Sequence, residues 1–91
     1  MNNARRRQIR AVIEELQKDA PDIVGVRDIL EGVQVEEEDS RDNTPESLQE
    51  SERYAICEES CDFLDDALSE LDDDSPEFSV VIEALSQIDG V

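Results

Sequence analysis

Along residues 4–20, "ARRRQIRAVIEELQKDA", the apolar side chains Ile9, Val12, Ile13, Leu16 and Ala20 recur every three or four positions, with charges between them. That spacing predicts an amphipathic helix over about residues 4–19. Its arginines crowd the N-terminal end, where the helix dipole is already positive, so they are expected to find acidic partners elsewhere in the chain. "DAPD" then breaks the pattern. Pro21 cannot occupy a helix interior but suits a first turn, with Asp19 as the expected N-cap.

Residues 22–42 repeat the periodicity through Ile23, Val26, Leu30 and Val33 and on into Glu37, predicting a second helix. Gly25 and Gly32 each weaken it by about 1 kcal/mol relative to alanine. Within the run Glu36, Glu37, Glu38, Asp39 only Glu37 has a basic residue four positions on, Arg41, so this end is expected to fray or to need a partner. "DNTPESLQES" is turn chemistry: Asn43 and Thr44 precede Pro45, and Ser47 stands three residues before Glu50 in the arrangement of a capping box. Leu48 is expected to tuck beneath the bend.

The clearest pattern follows. Tyr54, Cys57, Cys61, Leu64, Leu68 and Leu71 alternate spacings of three and four, the seam of helices packed at a shallow angle. Ile56, Phe63 and Ala67 widen that stripe towards a second neighbour. A helix over about 47–72 matches the preceding one in length, and a short turn joins them, which describes an antiparallel helical hairpin. Ser75 and Pro76 then supply an expected N-cap and first turn for a last helix over about 76–89, lined by Phe78, Val81, Ile82, Leu85 and Ile88 and stopped by Gly90. The expectation is an all-α single domain over residues 1–91: a long hairpin braced by two shorter helices.

Charge changes this picture most. Against 26 acidic residues stand 8 basic ones, a net of −18. Residues 1–18 carry five basic and two acidic side chains, and residues 19–91 carry three basic and 24 acidic, or +3 against −21. Such a body repels nucleic acids and anionic membranes and attracts basic surfaces. The basic arm Arg5, Arg6, Arg7, Arg10 is expected to fold back onto acidic neighbours, weak contact with nucleic acid being its alternative. The longest apolar runs are three residues, against about 20 for a membrane span, so no membrane association is expected. With two cysteines, too few for a secreted disulfide framework, the expected location is the cytoplasm.

Candidate chemistry is sparse. Cys57 and Cys61 share a helix face, but zinc wants four ligands and the chain has no histidine and no third cysteine. Small core side chains are the expected role for both thiols. The acidic runs 36–39 and 72–74 do not form a calcium loop: counted from Asp72, the sixth position is Glu77 rather than glycine, and Pro76 interrupts the path. With no histidine, phosphate loop or activated nucleophile in the sequence, neither an enzyme nor a cofactor is expected.

Residues 42–71 resemble small acidic proteins of phages and mobile elements of Gram-positive bacteria. The resemblance rests on Asp42, Asn43, Pro45, Glu46, Leu48, Gln49, Ser51, Glu52, Arg53 and Tyr54, a turn leading into an acidic helix. The chain departs from that pattern at its two cysteines. The resemblance implies the hairpin and a mobile-element origin in a bacterial host, and no activity.

Three readings of function follow. The first is a non-enzymatic module whose acids dock on a basic protein surface, through Glu36, Glu37, Glu38 and Asp39, then Glu58, Glu59, Asp62, Asp65 and Asp66, then Asp72, Asp73 and Asp74. The second is a nucleic-acid mimic that occupies a DNA- or RNA-binding host protein. The third is a small regulator touching nucleic acid through its arginine arm. Adaptation to high salt would explain the acidity without any partner, and a homodimer through Ile56 and Phe63 is a further alternative.

Overall fold

A computed structural model describes residues 1–48 and 51–91. The chain is all-α, with helices α1 (Asn3–Leu16), α2 (Ile23–Asp42), α3 (Glu52–Leu71) and α4 (Phe78–Ser86), and a 3₁₀ turn at Glu46–Leu48. α2 and α3 form the hairpin. Arg27 near the start of α2 meets the Leu71 carbonyl at the end of α3, and Glu37 near the end of α2 meets Cys57 near the start of α3, so the two run antiparallel. α1 packs on α2, α4 packs on α3, and α1 and α4 also touch, closing a ring of four helices.

The core comes from the predicted stripes: Ile9, Val12 and Leu16 of α1, Val26, Leu30 and Val33 of α2, Leu64, Ala67 and Leu71 of α3, and Val81, Leu85 and Ile88 near α4. The body measures 46 × 24 × 19 Å. The seam splits. Cys61, Leu64 and Leu71 are buried, whereas Tyr54, Cys57 and Leu68 are only half-buried.

Helix starts differ from the sequence expectation in instructive ways. The cap of α2 is Asp22, whose carboxylate accepts from the Gly25 N–H at 3.1 Å, not Asp19. Pro21 precedes the helix instead of entering it, and the helix begins at Ile23, which packs against the core. Ser51, not Ser47, caps α3 by accepting from the Tyr54 N–H at 3.3 Å. Pro45 first commits the chain to a 3₁₀ turn in which the Leu48 N–H donates to its carbonyl at 2.8 Å. Ser47 lies inside that turn, and Glu50, its expected capping-box partner, is outside the described residues. Leu48 stays exposed rather than tucking under the bend.

α4 is shorter than expected. Ser75 does not cap it; Glu77 precedes its first turn without a side-chain cap. Its apolar register continues past Ser86 in a tighter turn, in which the Ile88 N–H donates to the Leu85 carbonyl at 3.2 Å and Ile88 remains buried. Gly90 reverses the chain four residues beyond the helix with φ +81°, a conformation that favours glycine. Among the described residues no helix is long and apolar enough to cross a membrane.

Candidate interaction surface

The acids fall into two groups with different environments. On α3, Glu58, Glu59, Asp62, Asp65 and Asp66 occupy positions i, i+1, i+4, i+7 and i+8, one continuous helical face. That face lies opposite Leu64, Ala67 and Leu71, and all five side chains are exposed. Packing dictates the placement: once the apolar stripe is committed to α2 and α4, the remaining positions meet water. None of the five makes an ion pair within the described residues. Their charges span eight residues of rise, about 12 Å. At the far end of the same helix Asp72 lies 2.9 Å from the Arg27 guanidinium, while Asp73 and Asp74 are exposed and make no ion pair among the described residues.

The run at the end of α2 does not form a second such face. Asp39 is exposed, Glu38 is half-buried, and Glu36 lies 3.8 Å from the Arg5 Nε. Glu37, expected in the exposed set and expected to pair with Arg41, is instead fully buried. It occupies the core position of α2 four residues after Val33, where α1 crosses. Its Oε1 accepts from the Arg5 Nε at 3.4 Å, and its Oε2 lies 3.4 Å from the Met1 ammonium without hydrogen-bond alignment. Arg41 turns to Asp42, 3.3 Å away, and that contact holds its guanidinium above the ordinary arginine range. A polar residue at an apolar register position, with an arginine on the preceding helix, was the signal for this pair. The distance of 32 positions hid it.

The arginine arm is the first turns of α1 and not a free segment. Arg5 holds Glu37. Arg6 donates through Nε to the Asp89 carbonyl at 3.0 Å and lies 3.6 Å from its carboxylate. Arg10 donates to the Gly90 carbonyl. Arg7 alone of the four is exposed with no partner among the described residues. The conflict between four arginines and the helix dipole is thus offset by the C-terminal turn and by one buried carboxylate.

Between the bend and the start of α1 lies an open cleft of about 610 Å³, walled by Arg5, Arg6, Arg53, Tyr54 and Cys57 among others. The Cys57 thiol donates to the Glu37 carbonyl at 3.5 Å, and burial followed by the Glu37 charge pushes its pKa up. Burial, then the neighbouring Cys57, pushes Cys61 up to about 12. Neither thiol is poised as a thiolate, and both are free. Tyr54 is likewise held above its usual value, through desolvation and then Glu58. Among the described residues no group of three or more carboxylates and thiols is placed to hold a metal ion.

The chain matches no family model, no curated protein and no solved structure. The geometry above is therefore the basis for any functional reading.

Proposed function

We propose that this protein is a non-enzymatic acidic interaction module that docks on a basic surface of another protein, in the setting of a bacterial mobile element. The observation that carries this reading is the α3 face: five exposed carboxylates on one side of one helix, with no ion pair to any of them among the described residues. Clustered like charges repel one another, and a body of net −18 gains most by meeting a cationic partner. Charge of this kind steers encounter and selects partners, while a few apolar contacts fix the register. The arginines do not compete for that role, since three of the four are engaged within the chain.

Affinity capture from bacterial lysate tests the reading, with the wild type beside a variant whose five α3 acids are changed to Asn or Gln. Partners should be retained by the wild type, released by salt, and missing from the variant. Capture of the same set by both proteins would remove the acidic face from the account.

The spacing on α3 also supports a second reading, mimicry of nucleic acid. Five charges along about 12 Å approach the density of duplex DNA, which carries about one per 1.7 Å. Competition against labelled DNA for a panel of DNA-binding proteins separates the two: a mimic displaces the DNA, whereas a module that docks elsewhere on such proteins leaves it bound.

A further inference from the structure

α2 has a second stripe at helical spacing that the fold does not use. Val24, Asp28, Glu31, Val35 and Asp39 follow one another at intervals of four, three, four and four, directly opposite the buried Val26, Leu30 and Val33. Such a position ordinarily carries polar residues throughout. Here Val24 is 73% exposed and Val35 56%, the two most exposed of the large aliphatic side chains. They stand eleven residues apart, about 16 Å along one face. The acids between and beyond them make no ion pair within the described residues.

Gly32 lies beside this stripe, and a Cβ added there would meet nothing within 4 Å. No close approach inside the molecule therefore calls for glycine at this position, although it weakens the helix. A glycine one turn from the exposed Val35 allows another backbone to come near. Gly25, by contrast, sits under its own cap, where a Cβ would meet the Asp22 carboxylate.

We infer that this outer face of α2 is the seam on which a basic amphipathic helix of the partner docks: apolar side chains on Val24 and Val35, a close approach at Gly32, and Lys or Arg opposite Asp28, Glu31 and Asp39. The inference rests on the acidic-module reading and places its apolar anchors. Charge complementarity selects the occupant. A second copy of the chain would bring the same acids and a further −18 against the stripe, whereas a cationic helix neutralises them while covering the valines.

The test uses a fluorescein-labelled synthetic helix with leucines at three- and four-residue spacing and lysines elsewhere, followed by anisotropy at low and high salt. The wild type should bind it, more weakly but still measurably at high salt. Val24→Ser/Val35→Ser and, separately, Gly32→Gln should each weaken binding roughly tenfold, as loss of a central contact does. Asp65→Asn/Asp66→Asn, which removes two charges on α3, should cost much less. All of these sites are exposed, and unchanged circular dichroism with melting no lower than that of the wild type would confirm that each variant folds. Equal binding by wild type and both α2 variants, or an equal loss from the α3 pair, overturns the seam while leaving the acidic-module reading intact. No binding by the wild type at low salt sinks both. A concentration-dependent dimer abolished by the α2 substitutions would overturn the seam in favour of a second copy.

Discussion

The carboxylate of Glu37 lies 3.4 Å from the Nε of Arg5, joining α2 to α1 at a point where the acid is wholly out of water. A charge in that position is tolerable only while its partners stay in place, since loss of one leaves the other desolvated and unpaired. Arg5→Ala should therefore destabilise the protein by about 3–5 kcal/mol, a large share of the roughly 5–15 kcal/mol that holds a typical domain together. The double change Arg5→Met/Glu37→Leu should recover part of that loss, because apolar side chains of similar size often replace a buried pair at little cost, while the Met1 ammonium gives up its carboxylate. Urea melts of the three proteins check this. A double variant as weak as the single one would show that the pair itself stabilises the fold.

Alkaline pH should loosen the molecule through Cys61. Its folded-state pKa is raised to about 12 from an ordinary value of 9.0. Below about pH 9 the thiol is protonated in both states and its contribution to stability is fully present. Between 9 and 12 the unfolded chain gives up the proton while the folded chain keeps it, so stability drains away as pH rises towards the folded value. The loss should be visible as a difference between wild type and Cys61→Ala in denaturant midpoints taken from pH 8 to about pH 11. In the native state a thiol-specific reagent should label half-buried Cys57 before Cys61.

Much of this architecture can be read in the sequence. Four apolar stripes of period 3.6 gave four helices in the right order, and the stripe through Leu64 and Leu71 meets the oppositely directed helix it anticipates. Helix starts were less legible, because Asp19 and Asp22, or Ser47 and Ser51, satisfy the same local chemistry and the choice is made by which apolar residue first reaches the core. Glu37 was misplaced for a related reason. Its register position belongs to the core, but its type belongs to the surface, and only an arginine brought in from α1 reconciles the two. Val24 and Val35 stand outside the stripe of Ile23, Val26, Leu30 and Val33, and only the filled opposite face shows that they are left exposed.

Two glycines should respond oppositely to alanine. Gly32→Ala adds a methyl group in open space on a helix and should stabilise by about 1 kcal/mol. Gly90→Ala forces a side chain into a left-handed backbone and against the Arg6 side chain, and should cost about 1–2 kcal/mol. Thermal melting distinguishes them by sign. A neutral Gly90→Ala would mean that the C-terminal turn contributes nothing to the fold.

Salt should raise stability, since the unpaired acids of α3 repel one another and screening relieves them. Asp65→Asn/Asp66→Asn should melt a few degrees higher than wild type at low ionic strength, and the gap should close as salt is added. Unfolding of the wild type at ordinary ionic strength would instead favour salt adaptation as the origin of the acidity.

The grip of Arg6 and Arg10 on residues 89 and 90 has a consequence for biosynthesis. These bonds join positions 83 and 80 residues apart, so α1 obtains them only after residues 89 and 90 have been made. The hairpin can close earlier, by itself, through neighbours near in sequence. Until then α1 lacks its contacts with α4 and is the element most open to proteases and chaperones.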